Sequence, residues 1–313
     1  MLFRSNSLSM CFELSNLINM CAAAYAGGTA CQNCVNAKKC EGCNTCKCYD
    51  SCIHPLHQYN SNGKTYNCLN MAYNYVVKHF HRFASEIEYA FRIVYHAEQH
   101  NWKDNINVVS LGCGPSSELY GIINELQNQQ SNLVVSYHGF DTNAIWRKIW
   151  NLNIDICKQH NVTYTTDDMF AYYTEHSDEH IDILILNYLL SDVARNMQKE
   201  EKTAFLDKLA EFIDVMDVQY VIFNDIPLFY DNLISGYSCM EYVVRQFGVN
   251  KQRHSVLKGG RYRFGDPNPY QPTYGRKCDQ SSLLFTIDDA AKDFQPFNYC
   301  NSIQMLIKKT KAK

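Results

Sequence analysis

Hydrophobic positions recur at two different periods along this chain, and the change from one to the other falls near Asn101. Within residues 1–30, Phe12, Leu14, Leu17, Ile18 and Cys21 lie on or near one face of an amphipathic helix. From 69 to about 101, Leu69, Ala72, Tyr73, Val76, Val77 and Phe80 recur at threes and fours, as a buried helical stripe does. Beyond Asn101, short apolar runs alternate with helix-length segments. The runs are INVVSLG (106–112), LVVSYHGFD (133–141), VTYTTDD (162–168), IDILILNY (181–188) and VQYVIFND (218–225), and the segments lie around 115–129, 143–160, 197–214 and 228–247. That alternation predicts a parallel α/β sheet. Two final runs, SLLFTI (282–287) and SIQMLIKK (302–309), have no periodic helix between them and are expected to pair antiparallel.

The chain has 313 residues, enough for one large domain or for an ordinary domain carrying a smaller module, and its 46% hydrophobic content suffices for a real core. A net charge of -3 gives no global basic field to announce a nucleic-acid partner, so any basic surface is local. Near the N-terminus, AAAYAGG (22–28) has the small-residue look of a cleavage site, but Glu13, Asn16 and Asn19 interrupt the stretch before it. No run approaches the roughly twenty apolar residues that span a bilayer, and no membrane partner is expected. A reducing cytoplasm is the expected location, where clustered cysteines favour metal over disulfides.

The first strand runs into SLGCGPSSE (110–118), where Gly112 and Gly114 allow a tight turn and Pro115 suits the first position of the next helix. A nicotinamide dinucleotide fold wants a third glycine or alanine where Ser117 stands, and an acid about twenty residues on. Here the first acid at a strand end is Asp141, 29 residues beyond Gly112. A carboxylate there can take both ribose hydroxyls of an adenosine; alternatively, Asp141 or Thr142 caps the helix beginning near Asn143.

Taken together, these residues resemble the class I S-adenosylmethionine-dependent methyltransferases over residues 106–309, about two thirds of the chain. That family's first motif is a strand entering a G-x-G-x-G turn, and LGCGPSS matches it except that Ser116 stands at the third glycine. The resemblance implies a Rossmann-like parallel sheet ending in an antiparallel pair, and a cofactor held by Gly112, Cys113, Gly114, Ser116, Asp141, Thr142 and Asn187. It also implies an acid near the adenine, Asp167 or Asp168, either of which can instead cap the helix of MFAYYTE. Asn187 and Tyr188 would face the transferred methyl group. NYLL (187–190) lacks both prolines of the motif that base-amine methyltransferases carry there, which leaves Tyr188 open as a core residue. The same fold could transfer another part of the cofactor, or serve as a non-catalytic adaptor.

Residues 31–52 hold seven cysteines in twenty-two positions. Cys31/Cys34 and Cys40/Cys43 form two C-x2-C knuckles that suit one tetrahedral ion; Cys46, Cys48, Cys52 and His54, with His57 close behind, suit a second. Two zinc ions are expected, in a small helical, cysteine-rich module (31–57) within residues 1–101, ahead of a cofactor-binding domain at 102–313. An iron-sulfur cluster has a foothold in Cys40, Cys43 and Cys46, but the next cysteine comes two positions on and no Cys-Pro follows. Fully ligated zinc leaves no open position for a substrate, so structural or recognition use is the expectation.

Between 251 and 277 lie seven Lys or Arg against one Asp, together with three prolines, a composition that reads as a loop with a local positive face. Arg261 and Arg263 interleave with Tyr262 and Phe264, a mixture able to contact phosphate and stack a base; the same residues could equally be a solvated loop with aromatic anchors. The acceptor expectation therefore leans toward RNA, with a protein or small molecule close behind.

Overall fold

The run IDILILN forms β4 (Ile181–Asn187), and all of its residues are buried. Ile183 and Ile185 enter one core while Leu184 and Leu186 enter the other. With both sheet faces covered, the strand reads as continuous apolar sequence rather than as alternation. The computed structural model describes residues 10–26, 66, 68–216, 218–227, 229–230, 234–248, 254–264, 276–278 and 280–309. Within them, β1 (Asn105–Leu111), β2 (Val134–Phe140), β3 (Asn161–Thr165), β4 and β5 (Val218–Asp225) pair in parallel in the order 3-2-1-4-5. Beside β5 runs the antiparallel strand β10 (Ile303–Lys309), and β8 (His254–Arg263) and β9 (Arg276–Lys277) complete an eight-stranded sheet. A short hairpin, β6 (Phe229–Tyr230) and β7 (Ile234–Ser235), stands apart from it. The strand order reverses at β1, so a crevice opens where the carboxyl ends of β1 and β4 diverge.

One face of the sheet is covered by α1 (Phe12–Ala26), α2 (Leu69–Glu98), α3 (Ser117–Asn128) and α4 (Arg147–Ile156). The other is covered by α5 (Met169–Glu175), α6 (Leu190–Asn196), α7 (Lys199–Val215) and α8 (Gly236–Gly248). The 30-residue α2 sends Val76, Phe80, Ile87, Phe91 and Val94 fully into the first core, each large side chain worth about 1.5–3 kcal/mol. It crosses α3 closely at Gly121, where an added Cβ would lie 2.5 Å from the Ala84 carbonyl oxygen. No described helix is long and apolar enough to cross a membrane.

Three expectations need correction. SLLFTI is not a strand: it makes isolated bridges at Ser282, to Tyr299, and at Phe285, while the Leu284 N–H donates to Ser85 Oγ at 2.8 Å and Phe285 is buried in the first core. The run is apolar because it packs across α2, not because it joins the sheet. β10 instead takes its outer antiparallel neighbour from residues 254–263, expected as loop; the prolines that suggested a loop begin only at Pro267, past the strand. Pro115 lies ahead of the helix cap rather than in the first turn, because α3 begins at Ser117 with Ser116 as its N-cap. The cysteine cluster from Cys31 to Cys52, with His54 and His57, lies outside the described residues.

Candidate functional site

The turn after β1 places residues of left-handed backbone at every second position: Gly112 (φ +67°), Gly114 (φ +49°) and Ser116 (φ +71°). The N–H groups of the turn are used within the protein, Cys113 donating to the Phe140 carbonyl at 3.0 Å and Ser116 to the Cys113 carbonyl at 2.8 Å, while Pro115 has none. The left-handed backbone at 112 suits glycine, and an added Cβ would also lie 2.7 Å from a terminal methyl of Leu189, which would have to shift. Side chains from below hold the turn. Trp150 Nε1 donates to the Gly114 carbonyl at 2.8 Å and Asn153 Nδ2 to the Pro115 carbonyl at 3.1 Å. Beneath it, the buried Glu118 accepts from Ser110 Oγ and the Tyr137 hydroxyl, both at 2.6 Å; burial raises its carboxyl pKa against those two bonds.

Asp141, just past β2, reaches across to this turn. Its Oδ2 accepts from the Gly114 N–H at 2.9 Å and its Oδ1 from the Asn143 N–H at 2.8 Å. Burial raises its pKa and the two backbone donors oppose the rise. The helical cap nearby is made by Asn143, whose Oδ1 accepts from the Ile145 N–H at 3.1 Å, so Asp141 ties two loops together with its remaining lone pairs facing the crevice. Asp168 caps α5 through Oδ1, which accepts from the Phe170 N–H at 2.9 Å, while its Oδ2 sits 3.2 Å from Lys208 Nζ. Asp167 Oδ2 accepts from Thr165 Oγ1 at 3.0 Å.

At the end of β4, Asn187 Nδ2 donates to Ser117 Oγ at 3.0 Å, and its Oδ1 accepts from Asn224 Nδ2 at 2.8 Å. Tyr188 follows in left-handed backbone, φ +59°, a conformation rare for a bulky residue and concentrated at functional sites. Its hydroxyl donates to Glu86 Oε2 on α2 at 2.9 Å, and its ring lies 4.1 Å from that of Phe83. Glu86 is fully buried, and burial raises its pKa, opposed first by the nearby Arg82 and then by its hydrogen bonds.

These elements enclose a cavity of about 610 Å³, within the range of small-molecule sites. Gly112, Cys113, Gly114, Asp141, Thr142, Asp167, Asp168, Asn187 and Tyr188 all line it. Ser116 does not: it is fully buried under the turn, its hydroxyl near the Cys113 thiol and the Tyr164 hydroxyl without a well-formed hydrogen bond to a described residue. Burial holds the Cys113 thiol well above the ordinary range, so it lines the cavity as a neutral group. The backbone of Arg261 and Arg263 lies in β8, with Arg263 opposite Ile303 and Ile303 opposite Asp225. Arg263 is therefore at the sheet's carboxyl edge but four strands from β1, roughly 19 Å at normal strand spacing. The described residues contain no cluster able to hold a metal ion.

The sequence reading did not single out the wall contributed from before β1. Tyr66, Tyr75 and Phe83 join Trp146 along one side, with Tyr66 and Trp146 ring centroids 5.1 Å apart and Tyr75 and Phe83 5.9 Å apart. On the opposite side stand Leu189, Val193, Met197, Phe170 and Phe205. Tyr75 and Phe83 could have been flagged as aromatics on a helix preceding the glycine turn, but nothing local distinguishes them from core.

No protein-family model matches the chain, and no curated protein matches it in sequence. Solved structures do resemble it. A protein assigned to the class I S-adenosylmethionine-dependent methyltransferases, from Listeria monocytogenes, aligns over 97% of this chain and 90% of its own at 12% identity and TM-score 0.46. An rRNA methylase from Streptococcus thermophilus aligns over 74% and 94% at 13% identity and TM-score 0.39. A bifunctional kinase-methyltransferase, WbdD, aligns over 55% of this chain but only 35% of its own length, at 11% identity and TM-score 0.38.

Proposed function

We propose that this protein transfers a methyl group from S-adenosylmethionine to an acceptor bound at the ends of β4 and β5. The observation that carries the reading is the turn with left-handed residues at 112, 114 and 116, closed by the Asp141 carboxylate at the tip of the adjacent strand. The cradle fits such a ligand. A side chain at Gly112 would crowd Leu189, and the cavity of about 610 Å³ has Asp141, Asp167 and Asp168 in its lining. When bound, the sulfonium supplies an activated methyl group whose leaving group is a neutral thioether, so the protein's task is alignment. Asp141 would accept from the ribose hydroxyls, and Asp167 or Asp168 would meet the adenine. Asn187 would fix the approach to the methyl carbon from its bonds to Ser117 and Asn224. Tyr188 presents its ring to the cavity while its hydroxyl is committed to Glu86, so it would shape the acceptor pocket rather than take a proton.

Within this reading Cys31, Cys34, Cys40, Cys43, Cys46, Cys48, Cys52 and His54 would hold two zinc ions, with RNA the leading acceptor on the strength of that cluster and the basic stretch 251–277. Calorimetry with S-adenosylmethionine and S-adenosylhomocysteine tests the core of the proposal, and failure of both to bind leaves a non-catalytic adaptor as the better account. Elemental analysis of the purified protein tests the zinc, and salt-sensitive filter binding tests the RNA.

A further inference from the structure

Arg82 on α2, next to the cavity-lining Phe83, sits in a cage of rings. Its guanidinium carbon lies 4.7 Å from the Phe83 centroid, 4.8 Å from that of Phe297 and 5.7 Å from that of Tyr188. Its Nε is buried and has no hydrogen-bond partner among the described residues. Glu86, one turn along, would be the natural counterion, but its oxygens are turned elsewhere. Oε2 accepts from the Tyr188 hydroxyl at 2.9 Å and Asn224 Nδ2 at 3.0 Å, and Oε1 from the Asn301 N–H at 3.2 Å. Glu86 therefore balances the charge through space without accepting from the guanidinium. Rings that stack on a guanidinium face leave its N–H fork open in the plane, the geometry that takes a carboxylate or phosphate in two parallel bonds. The buried Nε donor left without an acceptor is costly, and here the rings offset only the charge.

Place gives the fork a purpose. Asp141, Asp167 and Asp168 line the cavity over β2 and β3, whereas Arg82 stands just beyond the lining residues Phe83 and Tyr188 at the ends of β4 and β5, held there by Tyr188 and by the Glu86 contacts to Asn224 and Asn301. We infer that Arg82 is the receptor for an oxyanion carried by the methyl acceptor, whose apolar body lies against Phe83, Tyr188 and Phe297. This rests on the acidic end being the place of S-adenosylmethionine.

Benzoate, phenyl phosphate and benzyl alcohol share one ring and differ in its substituent, which makes them suitable probes. Each is titrated into the full chain saturated with S-adenosylhomocysteine, by calorimetry and by following the Arg82 Nε resonance. One of the two anions is expected to bind and move that resonance, identifying the group as carboxylate or phosphate, and benzyl alcohol is expected to do neither. Arg82→Met should weaken the anion about tenfold or more, as for a lost hydrogen bond to a charged group, with Arg82→Lys intermediate and S-adenosylhomocysteine affinity retained in both. The proposal is overturned if neither anion moves the wild-type resonance while S-adenosylhomocysteine binds, or if folded Arg82→Met binds the anion as well as wild type does. If Arg82→Met does not fold, the wild-type resonance decides. Failure of S-adenosylhomocysteine itself to bind would instead remove the methyl-transfer reading, and the same titration without it still reports on Arg82.

Discussion

Replacing Ser116 with glycine should stabilise this protein while leaving its ligand site intact. Ser116 holds φ +71° as the N-cap of α3 and makes no side-chain capping bond. An L-residue in left-handed backbone costs about 1–2 kcal/mol. Glycine relieves it, against a loss of about 0.5–1 kcal/mol for its freer unfolded chain. A net gain of up to about 1.5 kcal/mol follows, which for a chain of this size raises Tm by about one or two degrees. Ser116→Ala isolates the backbone contribution, because it removes the hydroxyl but keeps the Cβ in left-handed backbone; it should not gain as glycine does. Differential scanning calorimetry on the three proteins gives the order, and S-adenosylhomocysteine titration gives the affinity, expected unchanged because Ser116 does not line the cavity. The reasoning fails if Ser116→Gly is no more stable than Ser116→Ala, or if either variant loses the ligand.

Gly112→Ala should lose S-adenosylhomocysteine binding by at least about tenfold in calorimetry, since it adds left-handed strain and a contact at 2.7 Å with Leu189 in the floor of the turn. Asp141→Asn should weaken the same ligand by about ten- to a hundredfold, because an amide presents a donor where the Gly114 and Asn143 N–H groups now meet acceptors. Stability should fall as pH rises from about 5 toward 9. Burial pushes Glu88 up to about 8 against the pull of Arg92, and pushes Asp225 up to about 7. A carboxyl with a raised folded pKa contributes most below its unfolded value, and that contribution is lost as pH climbs through the folded one. Urea midpoints across this window should show the slope, and Glu88→Gln should flatten its upper part.

What could be read in the chain, and what could not, follows from where each feature's partners lie. β1 to β5 were legible because two covered faces demand unbroken apolar runs, and α2 because its stripe must face a single core. Gly112, Gly114 and Asp141 were legible because chain direction alone brings consecutive strand ends together. The left-handed Ser116 was hidden by its residue type, for serine does not advertise that backbone. SLLFTI looked like a strand since an apolar run packed on a helix and one paired in a sheet have the same composition. The Arg82, Glu86 and Tyr188 group was beyond local reading, its members joined across more than one hundred positions.

The long helix α2 sets the smallest piece of this chain that could carry the site. Starting at residue 102 would preserve every strand, the glycine turn and Asp141, and such a piece has the outline of a complete catalytic half. It would nevertheless lack Tyr75, Phe83, Arg82 and Glu86, leaving the cavity open along one flank and Asn224 with Asn187 but not Glu86 to accept from its amide. Transplanting the cavity, or pruning the chain around it, therefore means carrying the helix along with the sheet.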